Sequence, residues 1–262
     1  MNTYHIRRAP VLLGNINTVA ERNLLRLVRV PTLIAFATAQ PVLFIVLFTF
    51  GFGGAVHPPG VAHYIDYLLP GLFVLAIGFG ASQTGVAVAE DLSSGMMDRF
   101  RSLPMARVAV LAGRSVADAV RNLFVVGLMI GVGYAVGFRF HAGVGAACGV
   151  VILAVGVGIA FTWINAVLGL LVKDAESAGL VGLFPVVILV FSSSTLVPVA
   201  TMPAWLQDFA RVNPVTIIVD ALRSLCLGGI TPAAVLPAVG WLAGILLVTV
   251  PLATIRYRRT TA

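Results

Sequence analysis

The chain has 262 residues, 59% of them hydrophobic and only 10% charged, with a mean hydropathy of +1.02. Soluble domains run near half apolar and about a quarter charged, so this composition excludes an ordinary soluble domain and specifies an integral membrane protein. The net charge is +7, and a single lysine, Lys173, stands among 17 basic residues. In so apolar a chain that excess orients the protein in a bilayer rather than gripping nucleic acid.

No apolar run with a cleavage site follows Arg7 and Arg8, so no cleaved leader is expected. In residues 15–30 a helical wheel places Arg22, Arg26 and Arg29 on one side and Ala20, Leu24, Leu27 and Val28 on the other. That pattern predicts a basic amphipathic connector helix lying on the membrane surface, the alternative being a plain positive flank to the first span. Pro31 marks the break before the span.

Six apolar segments follow, at 33–52, 67–89, 122–136, 143–172, 179–197 and 235–255. A crossing needs about 20 helical residues for roughly 30 Å of hydrocarbon, and most of the six qualify. The predicted fold class is therefore an all-α integral membrane protein with six transmembrane helices, forming one domain over residues 1–262. The third segment is short, so its helix is expected to begin earlier and to bring 116–121 to the interface. Pro41 and Pro185 are expected to kink their spans.

Charge counting sets the orientation. With six spans, 14 of the lysines and arginines fall on the side of the termini and three, Arg139, Arg211 and Arg223, on the other. The positive-inside rule puts both termini and the 90–121 loop in the cytoplasm. Residues 198–234, punctuated by Pro198, Pro203 and Pro214, lack the apolar length to cross. They read as one or two short re-entrant outer helices with Trp205 as an interface anchor, because Ile217, Ile218, Val219, Leu222 and Leu225 argue against a solvated loop.

No catalytic constellation is present: the sequence has no HExxH, no GxSxG and no phosphate loop. His5, His57, His63 and His141 are too scattered for a metal site. Cys148 and Cys226 read as two free thiols, with a disulfide between them as the alternative. The chain is therefore expected to be no enzyme, and to bind no cofactor or metal. The spans hold no acidic or basic residue away from their interface ends, which argues against an ion-coupled transporter. Their polar residues serve helix packing in the ordinary reading. Those put forward for a substrate path, with one aromatic, are Gln40, Phe44, Gln83, Asn165, Ser192, Ser193 and Ser194.

The 90–121 loop carries nine charges. Ser93 or Ser94 can cap a short helix that Pro104 ends, and Met96, Met97, Phe100 and Leu103 form one apolar face beside Asp98, Arg99 and Arg101. A methionine-rich face suits docking into a groove of a protein partner, against the alternative of resting on the membrane. Arg114, Asp118 and Arg121, at i, i+4 and i+7, read as a local ion pair.

The run Glu90, Asp91, Gly95, Asp98, Arg99, Ser102, Leu103, Pro104, Arg107, Gly113 and Arg114 resembles the membrane subunits of type-2 ABC exporters. The nearest likeness is to drug-resistance permeases typified by the daunorubicin exporter of actinobacteria. A second likeness runs from Phe184 to Leu225, through Met202, Pro203, Trp205, Asn213, Pro214 and Arg223. The resemblance implies a surface connector helix, six spans, a cytoplasmic coupling helix and re-entrant outer helices. It implies docking of separate ATPase subunits, two copies, at Glu90, Asp91, Gly95, Met96, Met97, Asp98, Arg99, Phe100, Arg101, Leu103 and Pro104. ATP and magnesium would then sit on the partner ATPase, and a second permease, identical or related, would complete the path. The expected function is export of a hydrophobic drug, lipid or glycolipid across the bacterial plasma membrane. The alternatives are export of a polysaccharide or other polar polymer and, from another class, an intramembrane enzyme.

Overall fold

A computed structural model describes residues 21, 31–56, 58, 61, 63–93, 107–172, 174–228 and 230–260. Among these the chain is all-α. Eight helices succeed one another: α1 Pro31–Phe52, α2 Tyr64–Ser93, α3 Arg107–Val136, α4 Gly143–Gly169, α5 Ala175–Phe191, α6 Ala204–Val212, α7 Pro214–Arg223 and α8 Pro232–Thr260. Four segments, Tyr64–Ser93, Ala112–Val136, Gly143–Gly169 and Pro232–Tyr257, are long and apolar enough to cross a membrane, while those in α1 and α5 are shorter. The molecule is a multi-pass membrane protein.

The six apolar segments fall on the six longest helices, though the fourth runs past Gly169 and the fifth past Phe191 into the 192–197 turn. The third begins at Arg107 rather than near Asn122, as its short apolar run required. It ends at Val136 because Gly137 takes φ +116°, where its amide and that of Phe138 turn back to the Gly133 carbonyl. Pro41 and Pro185 lie inside α1 and α5, which remain continuous helices through them. The proposed connector helix at 15–30 lies outside the described residues, Glu21 apart.

The bundle is organised around α2. Its first four turns, from Tyr64 to Gly78, are buried on every side, which is the mark of a central helix. It packs most extensively on α4 and α5, and also on α3, α1 and α7. Gly71, Gly78 and Gly85, spaced by seven, let neighbouring backbone approach. A side chain would strike Thr195 at the first, Val186 at the second, and the backbone of Asn165 at the third. Small residues of this kind are how helices pack in lipid, where no hydrophobic drive separates helix from solvent. A second apolar cluster, including Val88, Trp163, Val167 and Tyr257, joins the far ends of α2, α4 and α8.

The 198–234 segment folds as two short helices, as its prolines dictate. Pro198 and Pro203 stand at the N-caps of a 3-10 turn and of α6, and Pro214 opens α7. Asn213 caps α7 by accepting the Val215 amide at 2.9 Å, and its Nδ2 donates to the Leu189 carbonyl, fastening α7 to the end of α5. Ile218, Val219, Leu222 and Leu225 are buried against the bundle and Ile217 partly so, whereas Trp205 is exposed on α6.

Candidate functional site

Two polar networks hold the bundle together, one toward each end of α2. At the end where α2 leads into the 94–106 stretch, Asp91 is buried and accepts the Arg114 guanidinium at 3.0 Å. This revises one expectation: Arg114 does not join the local pair on its own helix but bridges to Asp91 of α2. Charge pairing in a low-dielectric interior holds only where both members are present, so the pair ties together the two helices that flank the central loop.

Two turns deeper, Asp118 accepts hydroxyl hydrogens from Thr84 of α2 at 2.6 Å and Thr162 of α4 at 3.2 Å. Arg121 lies 3.5 Å from its other oxygen, the local pair that the spacing predicts. Asp118 stands eleven residues into α3, about 16 Å from the helix start at 1.5 Å per residue. The bundle therefore encloses a charged pair where the sequence reading placed charge only at a helix end. Nearby, Arg121 Nη2, Asn122 Nδ2 and Asn165 Oδ1 are buried without a hydrogen-bond partner. Each presses on a glycine of a neighbouring helix: Gly80, Gly158 and Gly182 respectively.

At the opposite end, Arg223 of α7 reaches under α2. Its guanidinium carbon lies 3.6 Å from the centre of the Tyr67 ring, and its nitrogens donate to the Tyr67 carbonyl, the Ser194 hydroxyl and carbonyl, and Asp220. The Tyr67 hydroxyl donates to the Ser194 carbonyl and the Tyr64 hydroxyl to that of Leu196, both at 2.8 Å. This network clasps α2, α7 and the 192–196 turn. Cation–π contact with a desolvated ring adds about 2 kcal/mol to such a clasp. The i, i+3 spacing of Asp220 and Arg223 is legible in the chain; the Tyr67 contact, 156 residues away, has no local signal.

The residues put forward for a substrate path separate into groups. Ser193 and Ser194 are buried at the Arg223 clasp, and Ser192 donates to the Ile188 carbonyl of its own helix. Asn165 is buried between α4, α2 and α5 and donates to the Phe161 carbonyl at 3.0 Å. Gly71 touches Thr195 and Gly85 touches Asn165, fourteen residues apart on α2, so about 21 Å separates them. Gln40, Phe44 and Gln83 form the third group, on one face of α1 and α2; Gln83 is exposed, although Ser82 and Thr84 beside it are buried. The residues put forward for docking, Gly95, Met96, Met97, Asp98, Arg99, Phe100, Arg101, Leu103 and Pro104, lie outside the described residues, while Glu90 is half-buried in the last turn of α2.

Among the described residues no group of three or more metal-ligating side chains converges, and both cysteines are free, Cys148 exposed and Cys226 buried. Residues 14–227 match the family described as ABC-2 type transporter. The chain belongs to that family. It is an ABC-2 permease, the membrane-embedded transport subunit, without ATPase machinery of its own.

The permease is similar to a daunorubicin resistance ABC transporter permease protein of Streptomyces coeruleorubidus, with 30% identity over 85% of this chain and 78% of the relative. It is also similar to a probable doxorubicin resistance ABC transporter permease protein of Mycobacterium tuberculosis, at 29% identity over 85% of this chain and 80% of that one. A doxorubicin resistance ABC transporter permease protein of the same species matches at 30% over 71% of this chain and 66% of that one.

Proposed function

We propose that this ABC-2 permease forms, with a second permease, the path by which a hydrophobic drug-like molecule leaves the cell, driven by two separate ATPase subunits that bind ATP and magnesium. Likeness to the two drug-resistance permeases over 85% of the chain is the observation that carries this reading. The second permease is a further copy of this chain or a relative. Six spans of the bacterial plasma membrane, with both termini in the cytoplasm, are supported by the six long helices and by the 14 basic residues on that side against three. The whole chain acts as one transmembrane domain, with 15–30 as surface connector, 90–121 as coupling loop and 198–234 as the outer re-entrant segment.

In this reading the apolar face of Met96, Met97, Phe100 and Leu103 seats in a groove of the ATPase, a helix-in-groove contact. Glu90, Gly95, Asp98, Arg99, Arg101 and Pro104 frame it. Asp91 supports the docking helix from behind through Arg114 rather than touching the partner. ATP-driven closure of the ATPases then pulls on the loop, and the Asp91–Arg114 pair passes the movement to both flanking helices together.

The test is co-purification of the permease with its ATPase from membranes. Changing Met97, Phe100 or Leu103 to aspartate is expected to abolish the complex while the permease still inserts. A complex that survives all three changes overturns the docking role.

A further inference from the structure

An apolar groove of about 300 Å³ runs along the surface where α3 meets α4. One wall is α3, where the small Ser115 and Ala119 leave a hollow beside Val116, Val120 and Leu123. The floor is Val155 and Ile159 of α4. On α4 the Gly158 and Thr162 line faces α3, through Asn122 and Asp118, whereas Gly156 faces Leu242 of α8. At about 100° per residue, Val155 and Ile159 fall on the stripe between these two lines, so the groove opens between α3 and α8. α8 packs closely on α4 and only lightly on α3, which leaves the groove uncovered.

The groove is a slot with a charged mouth. From Ser115 to Leu123 it extends about 12 Å along α3, and beyond the Ser115 hydroxyl every lining side chain is hydrocarbon. Asp118 is level with Thr162, and Tyr257 shares a packed cluster with Trp163 and Val167, so the last turn of α8 stands within about a turn of the Ser115 level. Around Tyr257 the sequence carries Arg256, Arg258 and Arg259, and no acidic residue follows Asp220. A forward step on α4, from Thr162 to Trp163, sweeps from α3 across the groove to α8. The paired advance of Gly156 with Leu242 and of Trp163 with Tyr257 shows that α8 runs in the same sense. A forward step from Tyr257 therefore sweeps from α4 toward the groove, which puts position 258 beside its mouth.

Inside a membrane an apolar groove gains nothing from the exclusion of water, so the charged mouth selects what fills it. A second copy of the chain is disfavoured. Two copies in one bilayer are related by an axis along the membrane normal, and an interface here would bring both arginine runs together at one level, like charge against like. An anionic phospholipid satisfies both parts, its chain in the slot and its phosphate among the arginines. We propose that the groove between α3 and α8 holds one acyl chain of a resident anionic phospholipid whose phosphate is bound by the arginines that end α8. The lipid belongs to the leaflet on the side of the C-terminus, and it is a fixed part of the permease rather than its cargo. Seated there, it bridges α3, which leads out of the 94–106 stretch, to the last helix of the chain.

The experiment places the full-length permease in phosphatidylcholine nanodiscs with a small, equal fraction of a probe lipid, either phosphatidylglycerol or phosphatidylcholine, carrying a photoreactive diazirine in its acyl chain. Adducts are mapped by peptide mass spectrometry. The phosphatidylglycerol probe is expected to label 115–123 and 155–159 about tenfold more than the phosphatidylcholine probe, since each arginine near an anionic headgroup is worth about fivefold. Both probes label equally around Leu236, exposed at the far end of α8. Arg258→Gln combined with Arg259→Gln is expected to bring the ratio at the groove to about one. Ala119→Phe, which fills the hollow, removes the preferential label and leaves that at Leu236 unchanged. A wild-type ratio near one gives the groove to bulk lipid, and absence of label from both probes means that protein, such as a second copy, covers it. Either result overturns the site, as does a ratio that either variant leaves unchanged. The measurement uses neither ATP nor a transported compound, so its outcome is independent of the export reading.

Discussion

Single residues decide how the helices of this permease begin, and Asp174 shows the physics in isolation. Its carboxylate accepts the Ser177 amide at 2.7 Å and the Ser177 hydroxyl at 2.9 Å, capping α5. The amide bond first, then the hydroxyl, hold its pKa below the ordinary carboxylate value. A lowered native pKa means that the charged form is favoured in the folded state. The stabilisation is therefore complete above about pH 4, the unfolded value, and is lost as the pH falls through the native one. Asp174→Ala is expected to lower the thermal unfolding midpoint at pH 7 and to narrow its difference from wild type in acid, whereas Asp174→Asn keeps most of the cap because its amide oxygen still accepts. Equal midpoints for Ala and wild type at pH 7 would show the cap to be idle. This cap was readable, in principle, from the Asp-Ala-Glu-Ser run; the unpaired Arg121 Nη2 was not, since it depends on a glycine of another helix.

Between helices, the element that matters most is the pair of rods flanking the central loop. Arg114 and Asp91 are 23 residues apart, and nothing in the local spacing links them; the i, i+4, i+7 pattern with Asp118 and Arg121 points instead to a pair within α3. Only packing of α2 on α3 reveals the bridge. Removing one partner of such a buried pair costs about 3–5 kcal/mol through the charge left behind. Arg114→Ala is expected to reduce the yield of folded permease in size-exclusion chromatography, and the exchange Arg114→Asp with Asp91→Arg to restore it. Failure of the exchange to recover anything would mean that geometry, not charge, sets the contact. By contrast the starts of the two short helices α6 and α7 were legible, because Pro203 and Pro214 favour helix starts and the apolar residues after Pro214 need a buried face.

For the molecule as a whole, composition was enough to name the solvent, and apolar length located the four helices long enough to cross it together with two shorter apolar ones. What composition could not supply was which polar residues face one another, and hence which belong to a path. Ser193, Ser194 and Asn165 look in sequence like Gln83, yet the first three are buried and the last is exposed. Orientation is a property of the entire chain, resting on the basic residues summed over every loop. A protease site placed after Ala262 is expected to be cut in inside-out vesicles and spared in right-side-out ones. The opposite pattern would invert the assignment and put the 90–121 loop out of reach of ATP.

The glycines of α2 carry one more consequence. At Gly71 the Thr195 carbonyl oxygen lies 2.8 Å from the vacant Cβ position, and at Gly85 the Asn165 carbonyl oxygen lies 3.0 Å from it. The atom that occupies that direction is an α-hydrogen, so the central helix meets its neighbours through Cα–H···O contacts, each worth about 0.5–1 kcal/mol. Such contacts owe nothing to the exclusion of water, and they keep their strength in a medium as oily as the side chains themselves.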